Sequence, residues 1–469
     1  MTYLLSLAVL ALAVGTAAHA LLYKRDTRAV TAWVALIVMV PLAGAIAYWL
    51  LAVNRVQRKA MKLRPQPAGR RSERAERAAA YDPPDPLLLP LARVGDQLTP
   101  FALTGGTSVE VYEDGDTAFP AMIDAINRAQ RSISLATYIF NADEVGLEFR
   151  DALVAAAARG VEVRVLVDAV GGAHLGNSIV DLLQIAGVRA CDFMPVARPL
   201  HALSFNLRNH RKLLIIDGAH AFTGSMNITV ANRLADPGDV QPMRDIQFEL
   251  RGPVVRQLQQ VFVDDWAFAA DEELTGAAWF PEIGQFGNSC LRVVPDGPDE
   301  NFETVRLLIY GALAGATRSI SIVTPYFLPD AALIAALNTA ALRGVRVDIV
   351  MPEESDNRLV RWASQALYWQ LLQRGCRIWL TPPPFDHSKF MSVDDAWTMI
   401  GSSNWDPRSL RLNFELNVEI YDAEVGARMR RWFDARVASA HEVTKADIDS
   451  RPLAQRLRDG VARLFTPYL

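Results

Sequence analysis

The stretch "HRKLLIID" (residues 210–217) places a histidine and a lysine directly before a short apolar run. The run Leu213–Ile216 has the length and composition of a strand buried in a sheet. If the strand extends backwards, the side chains of His210 and Lys212 point to the same face, because side chains on a strand repeat every two residues. The stretch returns as "HSKFMSVD" (residues 387–394). The same polar residues therefore precede the same kind of buried strand twice in the chain. This repetition predicts two copies of one structural unit.

The repeated pattern extends beyond these eight residues. Each copy contains a histidine, a lysine, an aspartate, a glycine, a serine and an asparagine at identical spacing. The six positions are His210, Lys212, Asp217, Gly224, Ser225 and Asn227 in the first copy, and His387, Lys389, Asp394, Gly401, Ser402 and Asn404 in the second. A single copy could be an edge strand with a salt bridge, but two complete copies favour a shared functional cleft.

Other segments repeat as well. "RSISLATYIF" (residues 131–140) returns as "RSISIVTPYF" (residues 318–327), and "RGVEVRVLV" (residues 159–167) returns as "RGVRVDIVM" (residues 343–351). The first copy reads as a strand over residues 133–139, a helix over 145–158 and a strand over 161–167. Alternation of this kind predicts an α/β fold with helices on both faces of a sheet. We expect two α/β lobes related by a pseudo-twofold, over residues 101–285 and 286–469.

The N-terminal region is apolar. Residues 2–23 and 29–53 carry no Asp, Glu, Lys or Arg, and each run is long enough to cross about 30 Å of hydrocarbon. A cleaved signal peptide is disfavoured, because the first run has no basic start and a second run follows. We therefore expect a two-helix membrane anchor over residues 1–60, with His19 in a helix–helix hydrogen bond and a kink at Pro41. A basic, proline-rich linker is expected over residues 61–100.

Five basic residues follow the second run: Arg55, Arg58, Lys59, Lys62 and Arg64. By the positive-inside rule they place the large C-terminal part in the cytoplasm, although three more basic residues lie between the two runs. A net charge of −4 argues against nucleic acid as a partner. The three widely spaced cysteines indicate neither a disulfide framework nor a zinc site.

The residue types of the repeated pattern suggest phosphoryl chemistry without a metal. Lysine and asparagine donate hydrogen bonds to negatively charged oxygens. Histidine can act as a nucleophile when neutral and as an acid when protonated. The economical use of the pair is that one histidine attacks phosphorus while the other protonates the leaving alcohol. The spacing does not show which histidine attacks, and no cofactor is expected.

The doubled pattern resembles the phospholipase D superfamily. The stretches "NLRNHRKLLIIDG", "FDHSK" and "GSSNWDPRSLRLNFELNVEIYD" are similar to bacterial cardiolipin synthases. The resemblance covers nearly the whole chain, and it implies transfer of a phosphatidyl group from one phosphatidylglycerol to another, with release of glycerol. It also implies an inner-membrane location. Anionic membrane lipids are then the expected partners, and the oligomeric state, a homo-oligomer included, stays open.

Residue roles follow from the resemblance at matching positions. It implies that His210 forms the phosphohistidine and that His387 is the acid and then the base. Lys212, Lys389, Asn227 and Asn404 would hold the phosphoryl oxygens, with Ser225 and Ser402 shaping the pocket. Asp245 and Glu415 would be the carboxylates that orient the histidines. Asp217 and Asp394, which complete the motif, would be structural partners.

Two matters stay open at this point. A lipid hydrolase, a synthase using another donor such as phosphatidylethanolamine, a nuclease and an inactive membrane scaffold are the alternative functions. The tail from Arg451 to Leu469 is expected to form an amphipathic helix with Leu453, Leu457, Val461 and Leu464 on one face. That face could pack against the second lobe or lie on a membrane surface.

Overall fold

The computed structural model describes residues 2–24, 27–49, 81–171, 178–194, 207–299 and 301–466. The chain divides into an N-terminal unit, Met1–Lys62, and a larger unit, Leu63–Leu469. In the described part of the N-terminal unit, one helix is long and apolar enough to cross a membrane: α1 (Thr2–Tyr23), which has 22 residues. The basic cluster at residues 55–64 lies outside the described residues.

The second apolar run does not form one long helix. It contains α2 (Thr27–Met39) and α3 (Pro41–Ala47), separated at Val40. Proline lacks the backbone N–H that would continue α2, and its ring clashes with the preceding turn, so Pro41 begins a new helix. The prediction was a kink at Pro41, and the structure shows an interruption between two helices at this point. The prediction of two membrane-spanning helices is not confirmed, because within the described residues, which stop at Trp49 in this region, neither α2 nor α3 has spanning length.

Side chains link the helices of the N-terminal unit. His19 Nδ1 lies 2.8 Å from the hydroxyl of Tyr48, and the Trp49 indole donates a hydrogen bond of 3.0 Å to Thr16. The predicted helix–helix hydrogen bond of His19 is thus present.

The predicted linker ends earlier than residue 100. Asp85 caps a short 3₁₀ turn, Pro86–Leu88, which leads into helix α4 (Leu89–Leu98). Leu91 and Ala92 of α4 are buried in the apolar core of the second lobe. Within the linker predicted over residues 61–100, residues 86–98 therefore form a 3₁₀ turn and a helix that packs on the second lobe. The proline and leucine residues of this stretch correspond to the start of the helix and to its buried face. Residues 61–80 lie outside the described residues.

Within its described residues, the first lobe contains eight strands and four helices. The strands are β1 (Thr104–Tyr112), β2 (Ser132–Thr137), β3 (Glu162–Asp168), β4 (Arg189–Phe193), β5 (Leu213–Ile216), β6 (His220–Gly224), β7 (Met243–Arg244) and β8 (Gln247–Arg251). The helices are α5 (Gly115–Arg128), α6 (Glu144–Ala158), α7 (Ile179–Ile185) and α8 (Val254–Ala270). The predicted strand–helix–strand unit is thus found as β2, α6 and β3, within two residues at each end.

The second lobe follows the same general order, with two helices before β12, a two-residue strand before β14 and further elements at its end. Its strands are β9 (Ser289–Asp296), β10 (Ser319–Val323), β11 (Arg346–Pro352), β12 (Arg377–Thr381), β13 (Phe385–Asp386), β14 (Phe390–Val393), β15 (Trp397–Gly401), β16 (Glu415–Tyr421) and β17 (His441–Val443). Its helices are α9 (Thr304–Gly315), α10 (Ala331–Leu342), α11 (Arg358–Gln365), α12 (Tyr368–Leu372), α13 (Ala423–Ser439), α14 (Lys445–Asp449) and α15 (Leu453–Leu464).

One mixed sheet of 15 strands runs through both lobes. From the centre outward the order is β1, β8, β6, β5, β2, β3, β4 in the first lobe, and β9, β16, β15, β14, β10, β11, β12, β17 in the second. The two halves join where β1 pairs antiparallel with β9. The matching order confirms two α/β lobes and agrees with the predicted pseudo-twofold. Each lobe has its own apolar core.

Candidate active site

Backbone segments of the two lobes form hydrogen bonds with each other beside the repeated histidines. The N–H of His210 donates to the carbonyl of Phe414 at 2.9 Å, and the N–H of Phe414 donates to the carbonyl of Arg208 at 2.8 Å. In the other copy, β13 pairs with β7, and the N–H of His387 donates to the carbonyl of Arg244 at 2.8 Å. Each histidine is therefore held next to the segment of the opposite lobe that carries a carboxylate.

The carboxylates contact the histidines across the lobe boundary. His210 Nδ1 lies 2.9 Å from Glu415 Oε2, and His387 Nδ1 lies 2.8 Å from Asp245 Oδ2. All four side chains are buried or nearly so. Because a carboxylate accepts only, Nδ1 of each ring carries the proton, and Nε2 is the atom left for a substrate. Each lobe thus supplies the histidine of one pair and the carboxylate of the other, and we call these two pairs the crossed dyads.

The two serines of the pattern hold the carboxylates. Ser225 donates its hydroxyl proton to Asp245, and Ser402 donates to Glu415. The amide of Asn413 donates a further hydrogen bond of 3.2 Å to Glu415. These donors fix the carboxylates in one orientation, so each serine acts on a histidine of the other lobe through the carboxylate of its own lobe.

The two lysines lie beside the histidines rather than on a regular strand. Lys212 Nζ donates to the carbonyl of His210 at 2.7 Å, and Lys389 Nζ donates to that of His387 at 2.5 Å. β5 and β14 begin immediately after these lysines, so the histidines and lysines lie in the extended segments that precede the strands. The expected strand from His210 is therefore shorter, because residues 208–210 pair with the opposite lobe instead.

Burial sets the charge of the site. Burial lowers the pKa of His210 to about 4, with Glu415 acting in the opposite direction, and burial also lowers the pKa of His387. Both rings are neutral at pH 7. Burial would raise the pKa of Asp245 and Glu415, but the hydrogen-bonded histidine and the lysines bring the pKa of each below its usual value. Each crossed dyad is a neutral imidazole that donates to an anion.

The lysines are also perturbed. Burial lowers the pKa of Lys212 to about 7 and that of Lys389 to about 8, although the two carboxylates favour the charged forms. In the buried site an ammonium without an anion beside it is costly. A phosphoryl anion bound near the lysines would add to the effect of the two carboxylates and favour the charged forms.

Both histidines line one cavity of about 420 Å³. Asn227 and Asn404 line it as well, and the buried Oδ1 of Asn404 has no hydrogen-bond partner among the described residues. The structure therefore brings together the histidines, asparagines and crossed carboxylates of the predicted site. A phosphoryl group in the cavity would meet groups from both copies of the pattern.

Asp217 and Asp394 lie away from this cavity. Asp217 accepts hydrogen bonds from the N–H groups of Gln130, Arg131 and Ser132, at 2.7–3.1 Å. Asp394 accepts the equivalent bonds from Thr317, Arg318 and Ser319. Both aspartates adopt a left-handed backbone conformation, with φ of 52° and 55°. Asp217 thus connects the turn after β5 to the start of β2, and Asp394 connects the turn after β14 to the start of β10.

Sequence reasoning missed several cavity residues. Tyr138 packs its ring against His210 at 5.1 Å, and Tyr326 lies 6.4 Å from His387, centroid to centroid. Asp406, with a pKa raised by burial to about 7, lines the wall formed by the second lobe. Asp168 at the end of β3 accepts the N–H of Asn209 at 2.8 Å and positions the segment before His210. Tyr138 follows β2, Asp168 ends β3, and Tyr326 lies in the repeat of the segment that contains Tyr138, so the repeated segments were the available signal for these three residues.

The described residues contain no group of three or more His, Cys, Asp or Glu side chains arranged to hold a metal ion. The three cysteines are free.

Known proteins are similar to this chain in sequence and in fold. The family described as "Cardiolipin synthase, PLD-like domain" matches residues 122–266 and 309–437, and "Phospholipase D-nuclease N-terminal" matches residues 11–52. The chain is similar to cardiolipin synthase of Geobacillus thermodenitrificans, with 31% identity over 96% of this chain and 90% of that protein. It is 32% identical to the major cardiolipin synthase ClsA of Bacillus subtilis over 95% of each.

Among solved structures, the phosphatidylserine synthase of Haemophilus influenzae superposes with a TM-score of 0.63. The match covers 81% of this chain and all of that one at 14% sequence identity. At this identity the likeness concerns the fold: two α/β lobes around one sheet.

Proposed function

Since the chain belongs to the phospholipase D-like cardiolipin synthases, we propose that it transfers a phosphatidyl group between two phosphatidylglycerol molecules through a phosphohistidine on His210. The family makes the chain a phosphatidyltransferase, an enzyme of phospholipid synthesis. The observation that carries the proposed mechanism is the pair of crossed dyads on one cavity. Two imidazoles with buried carboxylates on Nδ1 leave two Nε2 atoms for one phosphorus centre.

In the first step, His210 Nε2 attacks the phosphorus of phosphatidylglycerol. A nitrogen–phosphorus bond forms, and the bond from phosphorus to the headgroup oxygen breaks. His387 donates its Nε2 proton to that oxygen, so glycerol leaves as a neutral alcohol. In the free protein His387 is neutral, and it takes up this proton when the phosphate anion binds beside it, since Asp245 stabilises the resulting imidazolium.

In the second step, His387 accepts a proton from a glycerol hydroxyl of the second phosphatidylglycerol. The hydroxyl oxygen attacks phosphorus, and the bond to His210 breaks, which releases cardiolipin and restores both rings. Lys212, Lys389 and the two pattern asparagines stabilise the charge on the phosphoryl oxygens in both steps. Bond energy is conserved in the phosphohistidine, and no nucleotide is consumed.

The test is the lipid product formed by the purified full chain from phosphatidylglycerol alone. We expect diphosphatidylglycerol and glycerol in equal amounts, measured by thin-layer chromatography and mass spectrometry. The double variant His210→Ala/His387→Ala is the control. Phosphatidic acid as the main product would replace the proposal by a lipid hydrolase, and product formed only with added phosphatidylethanolamine would show a different donor.

We further propose the membrane arrangement. Residues 1–60 anchor the chain through two spans, of which α1 has spanning length in the structure, and residues 101–285 and 286–469 form the two catalytic lobes in the cytoplasm. The basic residues after the second apolar run support this orientation. A membrane-impermeant label on a C-terminal cysteine tag should react only after the inner membrane is opened, and labelling of intact spheroplasts would contradict the orientation.

A further inference from the structure

Helix α15 presents an uncovered apolar face. Leu453, Leu457, Val461 and Leu464 recur three or four residues apart, and 56–75% of each residue is exposed. Phe465, directly after the helix, is half exposed. Soluble surfaces rarely keep five large apolar side chains together in water.

The opposite face of α15 holds the helix on the lobe. Asp459 and Ala462 are the buried residues of the helix, and the Asp459 carboxylate accepts hydrogen bonds from Arg451 and Arg458. The guanidinium of Arg458 lies 4.5 Å from the ring centroid of Trp362 on α11. These polar contacts fix the rotation of α15 about its axis. The leucines therefore point away from the protein because the helix is held in this orientation, and not because the end of the chain is unattached.

Basic residues border the apolar face. Arg456 and Arg463 are exposed, and they form no ion pair with a described residue. Both line a cleft of about 350 Å³ with Trp369, which is 44% exposed. A stripe of leucines bordered by arginines and a tryptophan is the composition of a helix at the boundary between lipid tails and anionic headgroups.

The helix is also close to the chemistry. Its packing partner α11 contributes Val360 to the wall of the catalytic cavity, and Asn357, the residue that caps α11, lines the same cavity. A membrane in contact with the leucine face of α15 would therefore be separated by this one helix from an element that borders the site.

We propose that α15 docks on the surface of an anionic phospholipid bilayer, with the leucine face among the acyl chains and Arg456 and Arg463 on lipid phosphates. The choice of a bilayer as partner rests on the proposed function, because the substrates are lipids. Docking would hold the catalytic lobes against the membrane independently of the N-terminal apolar helix. It would also orient one wall of the catalytic cavity toward the membrane that contains the lipid substrates.

The experiment uses the full chain in an inactive His210→Ala background, so that the lipid composition stays constant and the readout does not depend on turnover. Cys191, the free cysteine that is not buried, is replaced by serine. Leu457→Cys carries an environment-sensitive fluorophore, and Gln455→Cys on the other side of the same helix is the matched control. The protein is reconstituted in vesicles of phosphatidylcholine with phosphatidylglycerol and nitroxide-labelled lipid.

We expect the label at residue 457 to be quenched by nitroxide lipid several-fold more than the label at residue 455, and to be protected from aqueous iodide. Replacing Arg456 and Arg463 by glutamine should lower the docked fraction, by about fivefold in the docked-to-undocked ratio for each arginine. Equal iodide access at both positions would overturn the proposal. Iodide protection at residue 457 without nitroxide quenching would overturn it too, because a second protein copy would then cover the face. Neither result would affect the lipid-product assay.

Discussion

At the scale of single residues, the proposed mechanism assigns different tasks to two histidines that have equivalent carboxylate partners. The two copies of the pattern have the same spacing, so the sequence alone does not distinguish nucleophile from acid. A substrate with a good leaving group does distinguish them. Its departure needs no proton, but it still needs a nucleophile.

Phosphatidyl-p-nitrophenol should therefore separate the two roles. We expect His387→Ala to retain a burst of about one nitrophenol per enzyme, because His210 still forms the phosphohistidine. His210→Ala should lose the burst, with a rate lower by about 10³-fold or more. Stopped-flow absorbance measures both. A burst in His210→Ala that is missing in His387→Ala would reverse the assignment.

The carboxylates should follow the histidine that they contact, not the lobe that they belong to. Glu415→Gln should suppress the burst with the activated substrate, because Glu415 orients His210. Asp245→Asn should preserve the burst and slow the normal reaction by roughly 10²- to 10⁴-fold, because only the acid and base is affected. The two isosteric variants are controls for each other. The opposite result would mean that each carboxylate serves the histidine of its own lobe.

The buried lysines predict a pH dependence. Their pKa values, lowered to about 7 for Lys212 and about 8 for Lys389, mean that the charged forms are lost as pH rises through this range. The lowered pKa of His387 also decreases activity as pH rises, because the proposed mechanism needs a proton on His387 for the leaving alcohol. We expect kcat/KM to fall between pH 7 and 9, and the neutral nucleophile His210 should impose no loss down to about pH 5. A kcat/KM that rises from pH 7 to 9 would contradict this.

At the scale of elements, the aspartates of the pattern join strands, and they do not line the cavity that the two histidines share. Asp217→Ala removes the acceptor of three backbone N–H groups and places alanine at a left-handed position. We expect a loss of roughly 1–3 kcal/mol in the free energy of unfolding, measured by denaturant titration in detergent, with little change in kcat of the folded protein. Asp217→Asn, which tolerates the left-handed conformation, should lose less. A kcat lowered 100-fold in a stable Asp217→Asn protein would place this aspartate in the chemistry.

Elements were predictable where local pattern and tertiary packing agree. β5 was found at the predicted residues, and α6 began one residue early, at the turn capped by Asp143. The helix Leu89–Leu98 was missed because its buried face is defined only by the second lobe, on which it packs. The crossed dyads were missed for a related reason. Asp245 and Glu415 were identified as carboxylates for the histidines, but only the backbone pairing between lobes shows which carboxylate meets which histidine.

At the scale of the whole molecule, both crossed dyads are completed within one chain. Co-expression of His210→Ala and His387→Ala chains should therefore leave cardiolipin formation below a few percent of wild type. The measurement is the lipid product of co-purified, differently tagged chains. Substantial recovery of activity would show that lobes of different chains combine to form the site.

The pairing of β1 with β9 has a further consequence for how lipids are selected. The two lobes are joined at β1 and β9 and again by backbone hydrogen bonds beside each histidine, so we expect the distance between the two imidazoles to change little. Bulky headgroups would then be excluded by their size at the entrance of the cavity. The released glycerol would have to diffuse out through the same opening by which the next lipid arrives.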